Sequence, residues 1–294
     1  MNEPAKLAPR GSFLERNEFL LRRLHSLSGL VPVGAYMVVH LATNASVLDS
    51  PATFQRSVYS IHSLGAVLPV VEWVFIFLPL LYHAIYGVLI TRGALPNSST
   101  YKYTSNVRYT LQRATGMIAF LFIMWHVFHM HGWFHADAWM HSVAEPLGGG
   151  KFRAYNATST AAEAMQMSAV VPILYAIGVL SCVFHLANGI WTFGITWGLW
   201  VTPAAQRWAN AFCLVFGIGL AAVSMGALGG FTFKIRGDEE IAKVRADEDR
   251  MYEKRVETGE IEPDPNYHKR KREHEHDAAE SQQAAVPAEE SVVP

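Results

Sequence analysis

The sequence predicts an all-α integral membrane protein, a bundle of five transmembrane helices followed by a charged C-terminal tail. Only 17% of the 294 residues are charged, below the quarter that is usual for soluble domains. The 61 residues from Lys234 onward hold 28 of the 49 Lys, Arg, Asp and Glu side chains, so the preceding part is depleted in charge. This distribution excludes a soluble enzyme with a polar surface all round, and the net charge of −1 gives no bulk attraction for nucleic acid.

Stretches without a charged residue locate the five helices. They are 24–48, 73–91, 114–136, 164–206 and 208–233. A helix needs about 20 apolar residues to cross the hydrocarbon core, so four stretches hold one helix each. The stretch 164–206 is ambiguous. We predict one helix over about 167–193 and an interfacial connection over 194–200, with a sixth, re-entrant element as the alternative. Thr202 and Pro203 are then the N-cap and first position of the last helix.

The charge pattern divides the chain into a polar leader at 1–23, the helical domain at 24–233 and the tail at 234–294. The first apolar stretch follows 23 mostly polar residues and is long enough to span a membrane, which argues against a cleaved signal peptide. The tail mixes 11 basic with 17 acidic residues. We predict weak helix around 239–256 and disorder after Pro263.

Lysine and arginine residues predict the direction of the helices. With the N-terminus in the cytoplasm, the inner segments carry ten basic residues and the outer segments three, as the positive-inside rule requires. We therefore expect a multi-pass protein of the cytoplasmic membrane with its C-terminus on the opposite side. The basic run at 269–272 opposes this assignment, although long segments obey the rule poorly.

Each of the first four predicted helices contains one histidine well inside the membrane: His40, His83, His126 and His185. A single buried histidine is commonly a neutral imidazole bonded to a carbonyl. One in each of four helices favours a functional set, because ionisable residues are costly in a bilayer. Distances from the flanking charges place His40 and His126 toward the outside. The same distances place His83 and His185 toward the inside, so the depths predict two pairs.

Two imidazole pairs at two depths suit two bis-histidine b-type haems. Six-coordinate iron has no open position, which favours electron transfer over oxygen binding. Two such groups would relay electrons across a core about 30 Å thick. Gly87 and Gly189 each lie one helical turn beyond an inner histidine, where a missing side chain leaves room for a flat macrocycle. Ordinary helix packing at small residues is the alternative.

Short motifs around these histidines are typical of a known family. They are Arg22-Arg23-Leu24-His25-Ser26-Leu27, Val31-Pro32-Val33-Gly34, His40-Leu41, Phe77-Leu78-Pro79, His83-Ala84-Ile85-Tyr86-Gly87, Leu111-Gln112-Arg113, Trp125-His126, Phe184-His185, Asn188-Gly189, Pro203 and Gln206-Arg207. Together they resemble the cytochrome b558 membrane-anchor subunit of succinate dehydrogenase, of the single-chain, five-helix, di-haem type, over about 18–233. The leader and the loop at 133–166 are longer than that family's pattern, and the tail has no counterpart in it.

The resemblance implies that the four histidines are axial ligands of two haem b groups, paired as their depths predict. It also implies a flavoprotein subunit and an iron–sulfur subunit docked at the inner face. Electrons from succinate would pass through the inner and then the outer haem to quinone, most often menaquinone in di-haem members. Some relatives run the reaction backward as fumarate reductases. No succinate-oxidising site is expected on this chain.

Further residues are candidates for contacts with these groups. Haem propionates need cationic or hydrogen-bonding partners near the membrane surface. The inner ends of helices one and three supply four such residues: Arg23, His25, Ser26 and Arg113. Anchoring by positive charge is the alternative for the arginines. Glu72, at the outer start of helix two, is a candidate proton relay to an outer quinone, or a charge favoured by the helix dipole. His62 is a second quinone candidate.

The run His126, His129, His131, His135 and His141 invites a metal-site interpretation, and we place its last three members at the outer surface. They lie among Trp133, Phe134 and Trp139, so an interfacial aromatic belt with polar histidines is the better explanation.

Other functions remain open at this point. A transporter that uses the histidines as a proton or metal relay predicts no haem, a path open to water, and acidic partners inside. Only Glu72 offers such a partner, at an edge. A structural anchor without a cofactor leaves the four histidines unexplained. Di-haem cytochromes b of hydrogenases or formate dehydrogenases also carry haem ligands on transmembrane helices, but the motifs do not suggest them.

Overall fold

The computed structural model of the chain describes residues 12–93, 103–134, 136–268 and 271–272, and every regular element among them is a helix. Five spans are long and apolar enough to cross a membrane: span 1 (Glu18–Leu48), span 2 (Gly65–Arg92), span 3 (Thr104–His131), span 4 (Val170–Thr196) and span 5 (Pro203–Lys234). The predicted all-α fold with five transmembrane helices is confirmed. The leader before residue 12, His135, and the tail after residue 272 lie outside the described residues.

Span 1 contains a widened, π-helical turn at a proline. It is α-helical over Glu18–Ser28 and Ala35–Ala45, with a π-helix over Gly29–Gly34 between them and a 3-10 turn over Ser46–Leu48 at its end. Pro32 lies inside the π-helical segment. Proline has no N–H and crowds the carbonyl four residues back, so regular α-helical bonding cannot continue through it. A short helix precedes span 1, at Phe13–Arg16.

Span 2 begins earlier than the charge pattern predicts. Its segments in order are Gly65–Val67 (3-10), Leu68–Val71 (α), Glu72–Phe77 (π) and Leu78–Arg92 (α). The predicted position of Glu72 at the start of helix two is therefore wrong, since Glu72 lies about two turns inside the span. The helix continues past Glu72 because a single carboxylate does not end a helix. The helix dipole acts mainly on the first turn, so the dipole explanation of Glu72 is also wrong.

Spans 3 and 4 are continuous α-helices, and span 5 is α-helical over Pro203–Gly229 and π-helical over Gly230–Lys234. Span 4 runs as one helix through 170–196, and the connection at 197–202 holds no helix, so no re-entrant element is present there. The Thr202 hydroxyl oxygen accepts a hydrogen bond from the N–H of Ala205 at 3.2 Å, which confirms the predicted N-cap.

Span 4 lies at the centre of the bundle. It packs against spans 3 and 5 and contacts the π-helical turn of span 1. Span 5 also packs on the second α-helix of span 1, and the first α-helix of span 1 packs on span 2. With five spans, the chain enters the bundle at one end and leaves it at the other. We name them the amino-terminal side, where Glu18 begins span 1, and the carboxyl-terminal side, where Lys234 ends span 5.

The loops on the carboxyl-terminal side fold into a helical cap. It consists of the connecting helix (Pro51–His62), the loop helix (Ala157–Gln166) and the tail helix (Asp238–Glu257), which pack against one another. Their apolar side chains share one buried cluster with the ends of the spans, which includes Phe54, Val58, Ala161, Met165, Phe231, Ile241 and Val244. Short helical turns complete the loop between spans 3 and 4: Asp137–Trp139, Met140–Ala144 and Ala154–Asn156.

Buried polar side chains fasten the cap at the start of the loop helix. Glu248 of the tail helix is 1% exposed and accepts hydrogen bonds from the N–H of Thr158 at 2.6 Å and the hydroxyl of Ser159 at 2.5 Å. Gln55 of the connecting helix accepts from the N–H of Ala157 at 2.8 Å. The first N–H groups of a helix have no partner within it, so these two side chains close the helix end.

The tail helix matches the predicted helix around 239–256, but the predicted disorder after Pro263 is wrong for residues 264–268. Tyr267 is 1% exposed, and its ring lies 5.3 Å from that of Tyr155 and 4.1 Å from that of Tyr252. Each aromatic ring buries a large apolar area, and this burial outweighs the polar composition on which the prediction of disorder relied.

Candidate functional site

The structure brings the four histidines together as two adjacent pairs. The ring centroids of His40 and His126 are 6.0 Å apart, with the ring planes at 70°. Those of His83 and His185 are 6.1 Å apart, with the ring planes at 84°. These are the two pairs that the sequence depths predict. Their positions along the spans place the first pair nearer the carboxyl-terminal side and the second nearer the amino-terminal side.

The spacing of each pair fits a shared metal atom. Two imidazoles that bind one metal from opposite sides, at about 2 Å each, have ring centroids about 6 Å apart. Imidazole rings in direct contact lie closer, as in the stack of His25 on His83, whose centroids are 4.0 Å apart. The centroid spacing of each pair therefore matches the spacing that two imidazole ligands of one iron atom would have.

Backbone carbonyls orient both histidines of the amino-terminal pair. Nδ1 of His83 lies 2.9 Å from the carbonyl oxygen of His25, and Nδ1 of His185 lies 3.0 Å from the carbonyl oxygen of Gln112. A carbonyl can only accept, so each Nδ1 carries the proton and donates it. This tautomer leaves Nε2 of both rings free to bind a metal.

Side chains surround the carboxyl-terminal pair instead. Nδ1 of His126 lies 3.1 Å from the Tyr175 hydroxyl, which can accept the Nδ1 proton and so leave Nε2 available to a metal. Nε2 of His40 lies 3.3 Å from Nδ2 of Asn44, whose amide also donates to the His40 carbonyl at 2.8 Å. A metal can bind Nε2 of His40 only if the Asn44 amide gives up its contact with that nitrogen. The amide would keep its hydrogen bond to the His40 carbonyl.

Two glycines that the sequence did not single out lie against the histidine rings of the amino-terminal pair. A Cβ on Gly116 would lie 2.8 Å from Cε1 of His185, and a Cβ on Gly29 would overlap the His83 ring. The glycines that the sequence did single out face other groups. A Cβ on Gly87 would lie 3.2 Å from Cε1 of His25. A Cβ on Gly189 would lie 3.7 Å from Nε2 of Gln112.

The four predicted propionate residues lie toward the amino-terminal side. The Arg23 guanidinium lies over the rings of Phe19 and Trp197, at 5.0 and 4.9 Å from their centroids. His25 stacks on His83, and Ser26, next in the chain, is half-buried.

Two of these residues present buried nitrogens without a partner. The Arg113 guanidinium lies 3.4 Å from the Tyr109 ring centroid, and its Nε is buried with no hydrogen bond to any described residue. Nδ1 of His25 is buried and unpartnered in the same way. Buried polar atoms are nearly always paired in proteins. These two nitrogens are therefore suited to a group that brings its own acceptors, such as a carboxylate.

The two quinone candidates lie apart from the histidine pairs. Glu72 is half-buried in span 2, and Tyr36 lies in span 1. The Tyr36 ring in turn lies 5.6 Å from that of His40. His62 is exposed at the end of the connecting helix, with Nδ1 3.0 Å from the carbonyl oxygen of Val58.

The outer histidines do not form a metal site among the described residues, where no group of three or more metal-ligating side chains occurs. His131 lies beside the Phe152 ring at 5.7 Å, and His141 contacts Glu145 at 3.0 Å. His135 lies outside the described residues.

The structure also shows a polar network behind His185. The Gln112 side chain donates to the His185 carbonyl at 3.1 Å and accepts from Asn188 at 2.7 Å. Asn188 accepts from Nε of Arg108 at 2.9 Å, and the same guanidinium donates to Asn210 at 2.8 Å. Gln112 and Asn188 belong to the quoted motifs, but nothing in the sequence indicated that Arg108 of span 3 joins them.

No family model matches the chain. Among curated proteins, it is similar to the succinate dehydrogenase cytochrome b558 subunit of Bacillus subtilis (strain 168). The two are 36% identical over 214 residues, which is 73% of this chain and 97% of that protein.

Proposed function

Because the chain belongs to the family of succinate dehydrogenase cytochrome b558 subunits, we propose that it is the haem-bearing, quinone-reactive membrane anchor of a succinate:quinone oxidoreductase. The family and the five spans make it a multi-pass membrane protein that takes part in the enzyme complex. The cytochrome b in the relative's name implies haem b. That two haems bind here, and at which residues, is our proposal.

The observation that carries the proposal is the presence of two imidazole pairs with centroids 6.0 and 6.1 Å apart. His40 with His126 and His83 with His185 would hold one b-type haem each, through Nε2. Bound haem supplies reversible one-electron transfer. The protein's own contribution would be to hold the two rings of each pair so that both bind the iron, which favours electron transfer over oxygen binding.

The amino-terminal side also offers partners for haem carboxylates. The unpartnered nitrogens of His25 and Arg113 are donors that a propionate would satisfy. We propose these two residues, with Arg23 and Ser26, as the propionate contacts of the haem at His83 and His185. Glu72 stays our candidate for proton exchange with quinone at the other side, supported by its half-buried position toward the carboxyl-terminal side of the bundle.

The partners follow from the same proposal. A flavoprotein subunit and an iron–sulfur subunit would dock at the amino-terminal side, where they deliver electrons from succinate. Quinone, with menaquinone expected, would accept them at the carboxyl-terminal side. The excess of basic residues on the amino-terminal side supports a cytoplasmic position for that side, so we propose the cytoplasmic membrane with the cap outside.

The experiment that tests the proposal is a dithionite-reduced minus oxidised optical spectrum of the purified chain, with its haem-to-protein ratio. We expect two low-spin b haems per chain. A folded sample from haem-replete cells that contains no haem would contradict the proposal and bring forward a transporter that relays protons through the histidines.

A glycine substitution tests the site with less disruption than removal of a ligand. In Gly116→Ala the new Cβ would lie 2.8 Å from Cε1 of His185, so the ring must move. We expect a lower haem-to-protein ratio or an altered spectrum of one haem. Gly219→Ala in span 5 is the matched control, because a Cβ there meets nothing within 4 Å. Equal spectra for both variants would show that the His185 ring tolerates the displacement.

A further inference from the structure

The Tyr175 hydroxyl lies between two histidines of span 3. It is 3.1 Å from Nδ1 of His126 and 2.9 Å from Nδ1 of His129. His126 and His129 are one helical turn apart, and Tyr175 projects from span 4. Tyr175 and His129 are 6% and 4% exposed, so the arrangement is buried.

When His126 binds a metal, the proton inventory fixes the direction of its hydrogen bond to Tyr175. Nε2 of His126 then faces the metal, and its proton is on Nδ1. His126 therefore donates to the Tyr175 oxygen. The hydroxyl has one proton, and Nδ1 of His129 lies within its reach, so we assign His129 as the acceptor of that proton. His129 accepts there and carries its own proton on Nε2.

The His129 ring is packed against a neighbouring ring, yet one of its two nitrogens has no hydrogen bond. Its ring stacks on that of Trp125, with centroids 5.0 Å apart and planes at 8°. Its Nε2 is buried and has no partner in the described part of the chain. A buried donor without an acceptor destabilises the fold, so packing alone does not explain a histidine at this position. The hydrogen bond to Tyr175 is the interaction that an apolar residue could not provide.

The other ligand contacts differ in kind. His83 and His185 donate to backbone carbonyls, which no substitution can remove. His126 alone among the proposed ligands has a side-chain acceptor at Nδ1 in the described residues. Hydrogen bonding at the second nitrogen fixes the ring and raises the basicity of the ligand. A more basic ligand stabilises ferric over ferrous iron.

We propose that Tyr175 and His129 are positioning residues for the His126 ligand, and that they lower the midpoint potential of the haem held by His40 and His126. The inference rests on the proposed function. Tyr175 acts directly on His126. His129 acts through Tyr175, because it accepts the hydroxyl proton and so orients the oxygen lone pairs toward His126.

The test is a redox titration of the purified chain, with Tyr175→Phe, His129→Phe and the double variant. We expect Tyr175→Phe to raise the midpoint potential of one haem component and to shift its low-spin EPR signal, while the other component stays unchanged. His129→Phe keeps the stack on Trp125 and should give a smaller shift of the same sign. The double variant should match Tyr175→Phe, since His129 has no other route to the ligand.

The matched control is Tyr59→Phe, which removes a buried hydroxyl in the cap that donates to the Tyr155 carbonyl at 3.3 Å. It should leave both potentials unchanged. Two bound haems with no shift in Tyr175→Phe would overturn the inference while the proposed function stands. If the chain without any substitution contains no haem, the proposed function itself is refuted. If Tyr175→Phe loses its haem, His129→Phe decides: a shifted potential supports the inference, and an unchanged one overturns it.

Discussion

His185→Ala should remove one of two b haems and leave the other with its spectrum intact. Each histidine of a pair would supply one of the two bonds that hold the iron, and alanine supplies none. Alanine leaves His83 as a single ligand 6.1 Å from an empty position. We expect the haem-to-protein ratio of the purified chain to fall from two to one, and succinate-dependent quinone reduction by the assembled complex to be lost.

The pairing of the histidines also predicts the effect of replacing each of the other three proposed ligands. His83→Ala should remove the same haem, and the double variant His83→Ala/His185→Ala should lose no more than either single variant. His40→Ala and His126→Ala should remove the other haem. His141→Ala is the control, because that side chain is 59% exposed and lies in the loop outside the spans. Retention of both haems in His185→Ala would refute the assignment of this residue as a ligand.

Glu248→Ala should open the cap. The Glu248 carboxylate receives the N–H of Thr158 and the hydroxyl of Ser159, and all three residues are fully or almost fully buried. Removal leaves these donors without acceptors, at a cost of about 1–3 kcal/mol for each buried group. We expect faster cleavage of the tail by a protease added to the chain in lipid nanodiscs, and a lower unfolding temperature.

A second variant separates the hydrogen bonds of Glu248 from its charge, and a third serves as the control. Glu248→Gln keeps an acceptor oxygen for the Thr158 N–H and should lose less stability than Glu248→Ala. Glu239→Ala, on the exposed face of the same helix, should behave like the unchanged chain. If Glu248→Ala resists protease as well as Glu239→Ala does, the carboxylate does not hold the cap.

The pH dependence of the cap follows from the same residue. Burial raises the pKa of the Glu248 carboxyl above its ordinary value, while the hydrogen bonds from Ser159 and Thr158 oppose the shift. The folded cap therefore holds this proton more tightly than the unfolded segment does. Its stability should fall as the pH rises from the ordinary glutamate pKa through the raised one, and Glu248→Gln should lack that part of the dependence.

Much of this protein could be predicted from local sequence. Charge-free stretches locate the spans because a charge in hydrocarbon is costly, whatever the neighbours are. The Thr202 cap depends on residues three apart in the chain. Even the two histidine pairs follow from depth alone, since antiparallel spans of known direction bring residues of equal depth to the same level. Their role as haem ligands stays a prediction until haem is measured.

The tertiary structure decided the surroundings of those histidines and the fate of the tail. Glu248 meets Thr158 across 90 residues, and the His185 ring meets Gly116 of another span. Tyr175 reaches His126 across 49 residues. Such contacts depend on how helices rotate and pack, which the periodicity of one helix does not specify. The sequence by itself thus determined that the chain has five spans and which of the four histidines lie together. Only the packed structure determined which groups orient each ring, because side-chain hydrogen bonds form over about 3 Å and helix rotation sets those distances.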